Sequence, residues 1–183
     1  TKFYIKLLII WVLSLSKTVL ITGISGFIGL YCAKELLDNG FKVIGTVRNL
    51  AKKEEVINTF KKNDINIKNL SFEILELTSD NGWDKAMKGC EFVMHVASPF
   101  RIANPKNDDE MISPAVEGTR RVLEASQKAG IKRIVLTSSI VSMMSSIRRG
   151  QFGPKDWTDL NYPNLNTYIR SKTIAERSGW DFI

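Results

Sequence analysis

The stretch Thr22-Gly23-Ile24-Ser25-Gly26-Phe27-Ile28-Gly29 restricts this chain more than any other. It follows an apolar, β-branched run, Thr18 to Thr22, and opens a stretch with helical spacing, so its three glycines stand where a buried strand must turn into a helix. Gly23 permits the tight turn, Gly26 lets the backbone approach a pyrophosphate, and Gly29 lets the helix lie close to the strand; the free N–H groups of the helix start suit the anion. A glycine triplet alone reads equally as a glycine-rich turn. In the strand-turn-helix setting it reads as a dinucleotide cradle, with Gly23, Ser25, Gly26, Phe27, Ile28 and Gly29 as its binding residues.

The rest of the chain repeats the alternation. Strands are expected over Thr18 to Thr22, Lys42 to Val47, Leu70 to Leu75, Phe92 to Val96 and Arg133 to Thr137; helices over Phe27 to Asn39, Ala51 to Lys62, Trp83 to Lys88, Pro114 to Ala129 and Asn166 to Phe182. Near-continuous apolar strands joined by helical crossovers imply an α/β fold, a doubly wound parallel sheet covered on both faces. Gly40, Gly89 and Gly130 mark helix ends, and Ser113 before Pro114 reads as a helix start. Two long connections, Ser98 to Ser113 and Ser138 to Asn166, leave from the carboxyl ends of strands, where open α/β sheets bind ligands.

Composition narrows the chemistry. With 183 residues, 44% hydrophobic and 25% charged, the chain supports one substantial core. Its single histidine, His95, excludes a multi-histidine metal site, and no metal is expected. Cys32 and Cys90 lack a C-x-x-C spacing and form no disulfide framework, which suits a reducing, cytoplasmic compartment and leaves room for at most one bridge. The net charge of +7 is scattered over Lys52, Lys53, Lys61, Lys62, Lys132, Arg133, Arg148 and Arg149 without interleaved aromatics, so no nucleic-acid partner is expected.

The ends of the chain are set apart from this pattern. Residues 1–16 form an apolar extension whose run, Phe3 to Leu15, is shorter than the roughly 20 residues that span a bilayer. It reads as a disordered extension, an accessory helix or a targeting segment, and no A-x-A cleavage site follows it. No membrane partner is expected. At the other end the helical pattern stops at Ile183 without a glycine or proline stop signal, as in a chain cut short. Residues 17–183 are expected to form the nucleotide-binding domain.

Three further features carry chemistry. The second strand ends in Thr46-Val47-Arg48-Asn49, with an arginine where an NAD site usually carries an acid. A guanidinium there suits the 2′-phosphate of NADP by a bidentate contact, so NADP(H) is preferred over NAD(H); an exposed arginine ending a strand is the plainer reading. Tyr168 and Lys172 are spaced i to i+4, which puts the hydroxyl and the ammonium on one helix face, where the positive charge favours the phenolate. About thirty residues earlier, Leu136-Thr137-Ser138-Ser139 ends a strand in two serine hydroxyls, which serve either the site or a loop cap.

These residues resemble the extended branch of the short-chain dehydrogenase/reductase superfamily, which is the NAD-dependent epimerase/dehydratase superfamily. Within it the chain is similar to the dihydroflavonol reductase, cinnamoyl-CoA reductase and aldehyde reductase group. The resemblance runs in order through VLITGISGFIG (Val19 to Gly29), GTVRN (Gly45 to Asn49), KGCEFVMHVASPF (Lys88 to Phe100), VEGTRRVLEAS (Val116 to Ser126), KRIVLTSS (Lys132 to Ser139), KDWTD (Lys155 to Asp159) and YIRSKTIAE (Tyr168 to Glu176). It implies a Rossmann-like fold that lacks the carboxyl-terminal substrate region of extended members.

It further implies an oxidoreductase that reduces an aldehyde or ketone, or runs in reverse, by hydride transfer. Ser139 would bond the substrate oxygen, Tyr168 transfer the proton, and Lys172 lower the tyrosine's proton affinity and hold the nicotinamide ribose. Val96, Ala97 and Ser98 would line the cofactor, Thr119 lie beneath that strand end, and Glu76-Leu77 stand where relatives place Asp-Leu against the adenine. Such members often pair through helices matching Pro114 to Ala129 and Asn166 to Phe182, which implies a homodimer. The apolar run Ile140-Val141-Ser142-Met143-Met144 replaces small and polar residues of plant flavonoid reductases and argues against a flavonoid substrate. Two other readings are an NAD-dependent nucleotide-sugar epimerase or dehydratase, against which Arg48 counts, and a non-catalytic dinucleotide sensor, against which the intact Ser139, Tyr168 and Lys172 count.

Overall fold

In the computed structural model, residues 17–99, 105–146 and 150–183 are described. The apolar extension 1–16, Arg148 and Arg149 lie outside the described residues. Five strands, β1 (Thr18–Thr22), β2 (Lys42–Val47), β3 (Leu70–Ile74), β4 (Phe92–His95) and β5 (Arg133–Leu136), form one parallel sheet in the order β3-β2-β1-β4-β5. The helices are α1 (Phe27–Asp38), α2 (Leu50–Lys62), α3 (Trp83–Met87), α4 (Asp109–Lys128), α5 (Val141–Met144) and α6 (Thr167–Phe182).

The period of two along β1 explains why both faces need cover. Val19 and Ile21 join one buried cluster with Ala33 and Leu37 of α1 and Val56 and Phe60 of α2. Leu20, between them, points into the opposite cluster with Trp83, Ala86 and Met87 of α3 and Val122 of α4. Each fully buried Val, Leu, Ile, Phe or Met among them contributes about 1.5–3 kcal/mol of transfer free energy. Gly40, Gly89 and Gly130 take the left-handed backbone expected at the helix ends.

Most boundaries lie within one residue of the sequence reading, and one differs by more. Helix α4 does not start at Pro114 but at Asp109, with Pro114 inside it. The buried stripe runs through Met111, Ala115, Gly118 and Val122, so helical spacing begins one turn before the proline. So near the helix start the missing N–H of Pro114 removes only one intrahelical bond. The long connection from Ser138 to Asn166 holds the short α5, pinned by Thr158: its N–H donates to the Ser142 carbonyl at 2.8 Å and its hydroxyl to the Val141 carbonyl at 2.6 Å. Thus the KDWTD segment holds the loop that follows the serine pair. No helix among the described residues is long and apolar enough to cross a membrane.

Candidate active site

Strands β1 and β4 are neighbours in space, with Thr22 beside His95, although the chain leaves them in opposite directions along the sheet. Their carboxyl ends therefore form the switch-point crevice at which open α/β sheets bind ligands. Gly23 leaves β1 with φ +68°, and a Cβ there would lie 2.9 Å from both Cα and Cβ of Ala97. At Gly29 a Cβ would meet the Gly23 carbonyl oxygen at 2.4 Å. Both glycines are required by the fold itself.

Gly26 is different. Its backbone, φ −80° and ψ 161°, is open to any residue, and a Cβ there would meet only the Gly23 carbonyl oxygen, at an ordinary 3.4 Å. Among the described residues nothing demands a glycine at this helix start. A Cβ would instead fill the space before the N-terminus of α1, where Phe27 and Ile28 are exposed and, among the described residues, no side chain caps the helix start. This cradle fits a pyrophosphate.

Arg48 directly follows β2 and is exposed. The neighbouring cations are occupied: Lys52 pairs with Glu55 at 2.6 Å and the Lys53 ammonium sits 5.8 Å from the Phe72 ring centre. The Asn49 side chain caps α2 by accepting from the Lys52 N–H. Glu76, after β3, is exposed, while Leu77 packs on α4, its Cβ 2.9 Å from where a Cβ on Gly118 would lie and its carbonyl accepting from Arg121 at 2.8 Å. Val96, Ala97 and Ser98 follow β4, half-buried.

The serine pair and the Tyr-Lys pair meet at the end of β5. Lys172 is buried, its ammonium donating to the Thr137 carbonyl at 3.2 Å. Burial lowers its pKa below the usual lysine value, against the opposing charge of Glu176. Lys172 shares a pocket with Ala97, Ser98, Thr137 and Ser138, so α6 lies against the β4 and β5 ends. The two serines divide their work. Ser138 donates to the Glu176 carboxylate, whereas among the described residues the Ser139 hydroxyl has only a long contact, 3.5 Å, from the Val141 N–H. Tyr168 is half-buried one helical turn before Lys172 on α6, whose start is capped by Asn166 accepting from the Ile169 N–H at 2.9 Å.

Three residues with no role in the sequence reading beyond their place in motifs line or support this region: Thr22, His95 and Glu176. His95 is 2% exposed, and burial, aided by the Lys172 charge, pushes its pKa down to about 4. It stands between the hydroxyls of Thr22, at 2.7 Å, and Thr119, at 3.5 Å. Thr119 thus lies beneath the β4 end, as expected. A lone histidine closing an apolar strand was the available signal for His95.

The model for the family described as "NAD dependent epimerase/dehydratase family" matches residues 19–182. The chain belongs to this family. An anthocyanidin reductase from Vitis vinifera is 31% identical over 175 residues, covering 91% of this chain and 51% of the relative. Among solved structures of the same fold, Gre2 from Candida albicans in complex with NADPH matches at 32% identity and TM-score 0.78, over 91% of this chain and 52% of that one. The yeast methylglyoxal/isovaleraldehyde reductase Gre2 with NADPH matches at 26% identity and TM-score 0.75, over 90% and 52%. The chain spans about half the length of the family members it matches.

Proposed function

We propose that this chain carries the nucleotide-binding half and the acid–base set of an NADP(H)-dependent reductase of the epimerase/dehydratase family, acting on an apolar aldehyde or ketone of moderate size. The observation that carries the reading is Lys172, a buried ammonium held on the Thr137 carbonyl at the strand end that bears Ser139, one helical turn from Tyr168. The glycine cradle at Gly26 and the exposed Arg48 support the dinucleotide and its 2′-phosphate, as do the NADPH complexes of the two Gre2 proteins. Gly23, Ser25, Gly26, Phe27, Ile28 and Gly29 would hold the pyrophosphate, Glu76 and Leu77 the adenine side, and Val96, Ala97 and Ser98 the wall toward the nicotinamide.

When bound, NADPH supplies hydride to the carbonyl carbon. Ser139 and Tyr168 hydrogen-bond the carbonyl oxygen as negative charge develops there, and Tyr168 delivers the proton that completes the alcohol. Lys172 holds a positive charge beside that hydroxyl and binds the ribose. Ser139 is suited to this role because Ser138, not Ser139, is committed to Glu176. Ile140, 64% exposed immediately after Ser139, supports an apolar substrate. A second copy of the chain is the protein partner that fits this reading, meeting it along α4 and α6; sedimentation that shows only monomer at high concentration removes that part.

Tyr168→Phe tests the chemistry. Carbonyl reduction is expected to fall by about 100-fold or more, with NADPH affinity within about twofold of wild type. Turnover at the wild-type rate would overturn the assignment. Tightly held NAD that copurifies with the chain, together with turnover of a nucleotide sugar, would replace it with an epimerase or dehydratase.

A further inference from the structure

The polar chain through His95 has only one arrangement of protons. The Thr22 hydroxyl oxygen accepts from two backbone N–H groups, Val96 at 3.1 Å and Ala97 at 3.0 Å. With both lone pairs used, its own proton has one direction left, to Nδ1 of His95 at 2.7 Å. Nδ1 is therefore the acceptor, and the imidazole proton sits on Nε2. At the far side the Thr119 hydroxyl gives its proton to the Ala115 carbonyl at 2.8 Å, leaving its oxygen to receive Nε2–H over a longer 3.5 Å. The order runs from the Val96 and Ala97 amides through Thr22, His95 and Thr119 to α4.

The consequence lies in what the amides belong to. Val96 and Ala97 begin the strand exit that walls the crevice, and Thr22 directly precedes Gly23, which sits so near Ala97 that a Cβ on it would lie 2.9 Å from the alanine. The Gly23 N–H in turn donates to the Thr46 hydroxyl on β2 at 3.2 Å. One hydroxyl thus ties both walls of the crevice together, and the imidazole that accepts its proton holds that hydroxyl in place.

We propose that His95 is a positioning residue for the dinucleotide: its Nε2-protonated ring orients the Thr22 hydroxyl, which sets the spacing of the Gly23 turn from Ala97 and so governs cofactor affinity rather than the chemical step. This rests on the proposed cofactor reading. His95 touches neither substrate nor the reacting atoms in this assignment.

His95 is the only histidine of the chain, so ¹⁵N-histidine labelling gives a single imidazole spectrum. A pyridine-like Nδ1 and a pyrrole-like Nε2 are expected at neutral pH; the opposite pattern, or rapid exchange between the two, overturns the proposal. In parallel, NADPH is titrated into wild type, Thr22→Val, Thr22→Ser and His95→Asn. Thr22→Val, which keeps the shape and loses the hydroxyl, is expected to weaken NADPH binding about tenfold or more. Thr22→Ser restores it, and His95→Asn, with an amide oxygen to receive the Thr22 proton, loses less than Thr22→Val. In steady state the Thr22→Val defect is expected in the KM for NADPH, with kcat little changed; a defect confined to kcat overturns the proposal. Wild type that binds NADPH while Thr22→Val binds it equally well overturns the proposal alone. Wild type that binds no dinucleotide overturns the functional reading and the proposal with it.

Discussion

The Lys172 ammonium donates to the Thr137 carbonyl oxygen at 3.2 Å, a contact across 35 residues that holds α6 to the end of β5. Because burial lowers the lysine's pKa in the folded chain, the unfolded chain binds more protons in the window just below pH 10.5, and wild type gains stability as pH rises through it. Lys172→Met has no such group. Denaturant unfolding at about pH 7 and about pH 9.5 is expected to show wild type gaining on the variant at the higher value.

Gly26 and Gly29 separate the needs of the ligand from those of the fold. Gly29→Ala drives a Cβ to 2.4 Å from the Gly23 carbonyl oxygen and is expected to cost about 1–3 kcal/mol of stability. Gly26→Ala meets only an ordinary 3.4 Å contact and is expected to unfold like wild type while losing NADPH affinity about tenfold or more. Unfolding curves and nucleotide titration on the same two proteins decide it.

Arg48 is exposed beside cations already engaged by Glu55 and the Phe72 ring. Arg48→Ala is expected to weaken NADPH binding by about tenfold or more and to leave NADH binding nearly unchanged, since a charge-assisted hydrogen bond contributes about 1.5–3 kcal/mol. Equal losses for both nucleotides would move the phosphate contact elsewhere.

His95 predicts an acid limb in stability. Its folded pKa of about 4 lies below the ordinary 6.5, so the neutral ring costs nothing above pH 6.5, and stability is lost as pH falls from there toward 4. The loss from this group reaches about 3 kcal/mol. The Lys172 charge, which also faces the ring, adds to the penalty. In His95→Asn this part of the acid loss is expected to disappear, leaving only that of the carboxylates.

The Cys90 thiol, buried and donating to the Ala86 carbonyl, is pushed up to about 11 by desolvation. Iodoacetamide near neutral pH is expected to leave Cys90 unlabelled in the native chain and to label it in denaturant, read by peptide mass.

What the sequence determined by itself is what depends on neighbours within one turn or one strand. The glycine turn, the alternating faces taken by Val19, Leu20 and Ile21, and the i to i+4 spacing of Tyr168 and Lys172 are local regularities, and each is set by backbone geometry over a few residues. The parallel sheet followed from their repetition. Where local and long-range terms disagree, the chain's own pattern misleads: Pro114 reads as a helix start, yet burial of Met111 against the core carries α4 one turn further back. The site residues that tie the elements together were beyond reach for the same reason. Thr22 meets His95 across 73 residues, Thr119 meets it across 24, and Ser138 meets Glu176 across 38. Such partners are decided by the strand order β3-β2-β1-β4-β5, which brings the ends of β1 and β4 together. Only there do two backbone amides use up the Thr22 lone pairs and so leave the histidine one tautomer.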